Sequence, residues 1–115
     1  MNYETKRQKM HVVYIISDGS GYFKIGRTAN VEKRLAGLQT GSPVLLNVCL
    51  VFEMMPDLCD PVEKMLHAEF RPLRRSGEWF MLTKNELEWL HAQSVEDLIG
   101  KAEMHVIRKR YKSNR

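Results

Sequence analysis

Three side chains that suit the binding of an anion lie in the first third of the chain. Tyr14 offers a phenol, Lys24 an amine and Arg34 a guanidinium. Two short apolar runs flank the glycine-rich segment 17–21, a pattern typical of an antiparallel hairpin that places Tyr14 and Lys24 on neighbouring strands. A helix predicted directly after the hairpin brings Arg34 back beside them. Three donors that converge in this way suit an anionic ligand such as phosphate.

The helix predicted after the hairpin has clear signals for its start and its buried face. Asn30 is a good N-cap, and an acidic residue in the first turn favours the positive end of the helix dipole. The apolar stripe consists of Val31, Leu35 and Leu38. Arg34 falls on the border of this stripe, and Lys33 points away from it. The alternative for Arg34 is a surface arginine paired with Glu32 or Glu53.

A second candidate pair, Glu63 and His67, lies four residues apart on a helix predicted to begin at Asp60. Mg²⁺ prefers carboxylate oxygen, so Glu63 qualifies as a ligand, and His67 can transfer a proton or orient a phosphate. The spacing from Asp60 to Glu63 is also that of a capping box. The residues alone therefore leave Glu63 as a helix cap or a ligand, and His67 as structural or functional.

Patterning along the rest of the chain predicts a small α/β protein of α+β layout. The apolar run 44–52 indicates a strand buried on both faces, which would pair with the hairpin into a three-stranded antiparallel sheet flanked by helices. Trp79 and Phe80 are expected to return to the core. Capping signals at Thr83 and Ser94 start two further helices, the last of which ends at about residues 107–111.

The composition is that of one soluble globular domain. The chain has 115 residues, of which 43% are hydrophobic and 28% charged. Cys49 and Cys59 form no Cys-x-x-Cys motif, which argues against a zinc knuckle or a disulfide framework. No apolar stretch approaches the ~18 residues of a membrane span, and residues 1–10 have no secretory apolar core. We therefore expect a cytoplasmic protein that does not contact membranes.

The net charge of +4 is unevenly distributed along the chain. Residues 1–10 contain three basic residues and one acidic residue, and residues 108–115 contain five basic residues and no acidic one. The segment between them has ten basic and thirteen acidic residues and is mildly acidic. Basic ends of this kind suit nucleic acid, although a solvated tail that aids solubility has the same composition.

Several of these features occur in one ordered series. The segments V-Y-I-I, K-I-G-R-T, R-L and L-Q-T-G-S-P follow one another between residues 13 and 43. Together they resemble the GIY-YIG endonuclease superfamily, and are most similar to a branch of small phage DNA-binding domains and fungal "meiotically up-regulated gene" proteins. The resemblance covers residues 12–82. Its later matches are Glu63, Leu66, His67, Phe70 and the run from Gly77 to Phe80.

The resemblance also suggests how the chain is divided. Residues 11–82 would form a nuclease or DNA-binding domain, preceded by a basic arm and followed by a helical extension over residues 83–107. The basic tail would then occupy residues 108–115, with the arm at residues 1–10.

The resemblance implies a metal-dependent DNA endonuclease that hydrolyses phosphodiester bonds. In that family the helix glutamate holds the metal, so Glu63 would bind Mg²⁺ or Mn²⁺. Tyr14 would activate or position water, and Arg34 would hold the scissile phosphate and stabilise charge in the transition state. A catalytically inactive DNA-binding module on the same fold is the alternative. A third interpretation is a small factor that binds an acidic host protein through its basic ends.

Three positions depart from the superfamily pattern. Lys24 replaces the second tyrosine of the motif, and Val12 stands where the motif has glycine. Glu78 lies near the position where many members use an asparagine. Lys24 has three interpretations: it binds phosphate, it lowers the pKa of Tyr14 towards that of a useful base, or it marks a site that binds without cleaving.

Basic residues outside the catalytic set are predicted to contact DNA. Three of them cluster in the loop that leaves the Glu63 helix, where a solvated loop is the alternative. The predicted contacts are Arg27, Lys33, Arg71, Arg74, Arg75, Arg108, Lys109 and Arg110.

Overall fold

The computed structural model describes residues 9–113, so that most of the predicted N-terminal arm lies outside the described residues. Over this range the chain forms an antiparallel sheet of five strands with four α-helices. The strands are β1 (His11–Ser17), β2 (Tyr22–Thr28), β3 (Asn47–Met54), β4 (Arg74–Ser76) and β5 (Trp79–Met81). The helices are α1 (Val31–Thr40), α2 (Pro56–Glu69), α3 (Lys84–Ala92) and α4 (Val95–Ser113), with a short 3₁₀ turn at Arg71–Leu73.

The predicted hairpin is confirmed as β1 and β2. Asp18 fixes the connection, because one of its carboxylate oxygens accepts the backbone N–H groups of Ser20 and Tyr22. In the register of the two strands, Tyr14 lies opposite Gly26 and Ile16 lies opposite Lys24. Since directly opposed residues point to the same side of a sheet, Tyr14, Lys24 and Gly26 share one face.

The prediction of a three-stranded sheet was wrong. The strand order is β3-β1-β2-β5-β4, so the β4–β5 hairpin extends the sheet on the far side of β2. Both added strands have only three residues, too few to produce a readable alternation of polar and apolar side chains. The burial predicted for β3 was also wrong: as an edge strand it buries Phe52 and Met54 on one face, while Val51 is 45% exposed.

The two faces of the sheet pack against different helices. The main core lies on one face and includes side chains from α2, α3 and α4. Its fully buried members include Val13, Ile15, Ile25, Leu66, Phe80, Leu90 and Leu98. A smaller cluster of Tyr14, Ile16 and Leu46 lies on the other face, where the predicted stripe of α1 covers it. The helix α1 therefore sits on the face that carries Tyr14 and Lys24.

The start of α2 differs from the prediction. The helix begins at Pro56, with Met55 as N-cap, so Asp60 and Pro61 lie inside it. Pro56 takes the first helical position, where the fixed φ of proline is well suited. Because Asp60 is not an N-cap, the capping-box alternative for Glu63 is removed.

The C-terminal helices begin as predicted. Thr83 donates its backbone N–H to the Glu86 carboxylate, and Ser94 and Asp97 exchange two hydrogen bonds of 2.9 and 3.0 Å. The helix α4 continues to Ser113, so the described part of the predicted basic tail is helical. None of the described helices has the length and apolar character needed to cross a membrane.

Candidate functional site

Tyr14 lies directly over Gly26, and the two residues fit only because position 26 has no side chain. The ring of Tyr14 is buried, with 1% of the residue exposed. A Cβ atom built on Gly26 would overlap the Tyr14 hydroxyl and lie 2.6 Å from the ring carbon that carries it. The glycine of the K-I-G segment is therefore needed for the Tyr14 ring to occupy this position.

Gly26→Ala should destabilise the domain by about 1–3 kcal/mol, because the buried ring of Tyr14 has to move or the strands have to separate. Gly37→Ala is the matched control. Gly37 lies in α1 with open space around its Cα, so alanine there should stabilise the helix by roughly 0.5–1 kcal/mol. Urea unfolding of both variants measures the difference, and equal stability of the two would contradict this packing.

Arg34 reaches the same phenol from α1. Its Nε donates a hydrogen bond of 3.3 Å to the Tyr14 hydroxyl oxygen. The alternative pairing with Glu32 or Glu53 does not occur among the described ion pairs. Because Arg34 occupies the oxygen of Tyr14 as an acceptor, the phenol keeps its own proton free to donate to a third group.

The pKa of Tyr14 rises above its ordinary value because burial disfavours the phenolate, an effect that the hydrogen bond from Arg34 only partly offsets. The proposal that Lys24 lowers the pKa of Tyr14 is therefore wrong. At neutral pH the phenol is protonated, so Tyr14 can orient a water or a phosphate by donating a hydrogen bond. It does not act as a base in this state.

Lys24 is occupied by its neighbours. It is 8% exposed, and its Nζ lies 3.2 Å from Oε1 of Glu78 and 5.6 Å from the centre of the Trp79 ring. The ammonium thus neutralises Glu78 and packs over an aromatic face. In this arrangement Lys24 positions the Glu78 carboxylate.

Glu63 and Glu78 form a hydrogen-bonded pair of carboxyl groups beside Lys24. Burial, the hydrogen bond with Glu78 and the negative charge of Glu78 raise the pKa of Glu63 to about 7. Burial alone would raise the pKa of Glu78 as well, but its hydrogen bonds with Glu63 and Lys24 outweigh burial and lower it. The pair therefore shares a proton near neutral pH, with Glu78 as the ionised partner.

His67 completes the local cluster but faces a backbone carbonyl. Its Nε2 lies 2.8 Å from the oxygen of Ile25 and 3.8 Å from Oε1 of Glu63. A carbonyl only accepts hydrogen bonds, so Nε2 carries a proton and is not available as a metal ligand in this arrangement. The ring also packs on Phe80, with ring centres 5.0 Å apart. His67 thus ties α2 to β2 beside the carboxylates.

The pair of carboxylates fits a divalent cation. Ligand atoms of Glu63, His67 and Glu78 lie within 4.8 Å of one another, and the oxygens of the two glutamates remain when His67 is set aside. Carboxylate oxygens with room for water are the ligands that Mg²⁺ and Mn²⁺ prefer. Two partly buried carboxyl groups that share a proton would both ionise beside such a cation.

Arg27 faces the cluster, on the outer side of Glu63. Its Nε lies 3.2 Å from Glu63 and its Nη2 lies 3.2 Å from Asp60. The side chain is half exposed, so a second partner in solvent can still reach the guanidinium. Its position as a clamp on Glu63 was not predicted from the sequence.

The other predicted DNA contacts lie on α1, on the segment after α2 and on α4. Lys33 and the arginines of the loop and β4 are exposed, and two of these arginines already have partners. Arg74 donates to the carbonyl of Gly77, and Arg75 lies 3.3 Å from the sulfur of Met81. Arg108, Lys109 and Arg110 belong to α4, which packs against α2 on the opposite face of the sheet from α1.

Sequence reasoning brought together Tyr14, Lys24, Arg34 and Glu63 but missed Glu78 as a member of the site. The residue lies in the turn before β5, and its backbone carbonyl accepts the N–H of Ile25. Its proximity to the superfamily asparagine position was the available signal. The short strand that carries it to Lys24 left no pattern in the sequence.

A family model described as the T5orf172 domain matches residues 11–98. The chain belongs to this family. The matched range of the T5orf172 domain contains the cluster of Glu63, His67 and Glu78 and ends four residues into α4. No curated protein and no solved structure matches the chain.

Proposed function

We propose that this T5orf172 domain is a metal-dependent DNA endonuclease of the GIY-YIG type, with its site at Tyr14, Arg34, Glu63 and Glu78. The observation that carries the proposal is that a phenol–guanidinium pair and a partly buried pair of carboxyl groups both lie beside β2. The ordered resemblance to the GIY-YIG superfamily supports it, as does membership of a phage-like family. DNA is the proposed substrate because both halves of this arrangement suit a phosphodiester.

The carboxylate pair would hold the metal. Glu63 and Glu78 would bind Mg²⁺ or Mn²⁺, and Arg27 and Lys24 would keep the two carboxylates in place. When bound, such an ion neutralises charge on the scissile phosphate and lowers the pKa of a coordinated water.

The phenol–guanidinium pair would handle the substrate. Arg34 carries a permanent charge on an exposed turn of α1, where it can bind a phosphate oxygen and stabilise the charge that develops there. Tyr14 would donate its remaining hydrogen bond to the attacking water or to the phosphate. The hydrogen bond from Arg34 and the close packing on Gly26 hold the Tyr14 ring in place. The hydroxyl donor is therefore oriented before the substrate binds.

A DNA-binding module without catalysis is the second candidate, and one observation favours it. The raised pKa of Tyr14 keeps its phenol protonated at neutral pH, so it does not act as a base, and Lys24 is occupied by its ion pair with Glu78. If water activation needs a protein base, the site would bind a phosphate without cleaving its ester.

Metal binding by the protein alone tests the carboxylate site. Wild-type protein should bind Mn²⁺, and Glu63→Gln and Glu78→Gln should each weaken binding by roughly tenfold or more, because each removes one charged ligand. Glu53→Gln is the control, since Glu53 is exposed on the edge strand. Calorimetric titration gives the dissociation constants for Mn²⁺. Equal Mn²⁺ binding by all four proteins would mean that the ion binds elsewhere.

A further inference from the structure

A groove runs between the C-terminal half of α2 and the outer part of α4. One of its lining residues is His67, whose Nε2 lies 3.8 Å from Glu63. From there it continues along α4 as far as Tyr111. Most of the wall on α4 lies beyond residue 98, where the family match ends. The groove therefore shares His67 with the Glu63 cluster and is formed partly by a segment outside the shared domain.

Positive charge predominates along this groove. Its walls contain five lysines or arginines and three carboxylates. Two cations, Lys64 and Arg71, lie on the α2 side, and Lys101, Arg108 and Lys109 lie on the α4 side. A polyanion lying between the helices would therefore meet cations on both sides.

Two of the three carboxylates lie at one end of the α4 wall, and the third, Glu69, is the last residue of α2. Glu96 and Asp97 are in the first turn of α4, where Asp97 accepts the backbone N–H of Ser94. The positive charge thus increases towards the C-terminal end of α4, away from the main body of the domain. A bound polyanion would be guided along the helix in that direction.

The same wall presents apolar and aromatic surface next to its charges. Met104, Arg108 and Tyr111 are spaced by four and three residues, so they line one face of α4. Met104 is 49% exposed and Tyr111 is 71% exposed. An exposed aromatic ring beside cations suits the stacking of an unpaired base next to its phosphate.

We infer that the groove holds a single-stranded segment of nucleic acid that flanks the strand bound at the candidate site. The inference rests on the proposed function, and adds to it the form of the substrate: a duplex with a single-stranded extension or gap. Phosphates of the segment would lie near Lys64, Arg71 and Arg108, and a base would stack on Tyr111. Cations along a groove with an exposed aromatic ring beside them suit one strand whose bases are unpaired.

The test compares two DNA forms. Fluorescence anisotropy, performed in Ca²⁺ to prevent cleavage, gives the affinity for a blunt duplex and for the same duplex with a 3′ or 5′ single-stranded extension. We expect at least about fivefold tighter binding of one extended form, because one stacked base contributes that much. The dependence on salt should also be steeper, by about 0.7 in log–log slope for each added phosphate contact.

Two variants test whether the groove causes the tighter binding of the extended DNA. Tyr111→Ala should remove most of the preference for the extended DNA and leave blunt-duplex binding near the wild-type value. Arg108→Gln should weaken binding of the extended DNA more than binding of the blunt duplex, and so also reduce the preference. Lys84→Gln, an exposed cation on α3 outside the groove, should keep the preference. Circular dichroism shows whether α4 remains folded in Tyr111→Ala. If it does not, Arg108→Gln alone tests the role of the groove.

The outcomes separate the two proposals. Equal affinity of the wild-type protein for blunt and extended DNA would overturn the inference and leave the proposed function standing. A preference that survives in both groove variants would also overturn it. No binding to either DNA form would contradict the proposed function itself.

Discussion

Glu63→Gln is expected to reduce metal-dependent DNA cleavage to background while leaving the fold intact. The side chain lies in the middle of α2, 12% exposed, where Arg27 holds it against Glu78. Glutamine has the same shape and can still hydrogen-bond to Glu78, but it lacks the charge that would hold a divalent cation. Single-turnover cleavage in Mg²⁺ and in Mn²⁺ measures the effect. Glu53→Gln is the control and should cleave at the wild-type rate.

The stability of the same variant has a defined pH dependence. The pKa of Glu63 in the folded chain is about 7, above its ordinary value of 4.5, so the fold binds the protonated form better. The corresponding stability is present below pH 4.5 and is lost as the pH rises through 7. Glutamine cannot ionise, so in EDTA the stability of Glu63→Gln relative to wild type should increase from pH 5 to pH 8. Full cleavage by Glu63→Gln would remove Glu63 from the metal site.

Arg34→Ala should lower the turnover rate by about 10²–10³-fold with a much smaller change in DNA affinity, because its charge is proposed to act mainly in the transition state. The side chain is exposed on a helix, and alanine is a good helix former, so the domain should remain folded. Single-turnover rates and dissociation constants on the same DNA give the two numbers.

Lys33→Ala is the matched control for Arg34, since it removes a neighbouring exposed charge that points away from the apolar stripe of α1. It should weaken binding slightly and leave turnover unchanged. If Arg34→Ala lowers binding and turnover by the same factor, Arg34 is only a phosphate clamp. If it changes neither, the bond to Tyr14 has a purely structural role.

The sequence predicted the parts of the fold that have strong local signals. The hairpin was predictable because two apolar runs flank a turn in which Asp18 can bind the backbone. The helix α1 was predictable because Asn30 caps it and its stripe recurs at helical spacing, as the structure confirms. These features depend on residues close in the chain, which is why one sequence is enough to identify them.

The missed features depend on partners that are distant or on competing local signals. Asp60 followed by Pro61 has the local signature of a helix start, but the helix already begins at Pro56, which also suits a first turn. The run 44–52 is mostly apolar, but its position at the sheet edge is fixed by the pairing of β1 with β2. Burial of β3 on one face follows from that order, which no local pattern encodes.

The candidate site was predicted only in part, because one of its contacts also joins residues that are distant in the chain. Tyr14, Arg34 and Glu63 could be assigned because they match positions of a known motif. The ion pair of Lys24 with Glu78 joins residues 54 positions apart, through a strand of three residues. The pair gives a physical reason for the lysine at this position: it neutralises a second carboxylate that the resemblance did not include.

DNA cleavage by the wild-type protein tests the central proposal most directly. Supercoiled plasmid and gapped or extended duplexes are incubated with saturating protein in Mg²⁺, in Mn²⁺ or in EDTA, and binding is measured in parallel on the same DNA. The proposed function predicts nicked or cut DNA with either ion and intact DNA in EDTA. Saturated binding with intact DNA in every condition would contradict it and identify the domain as a DNA-binding module.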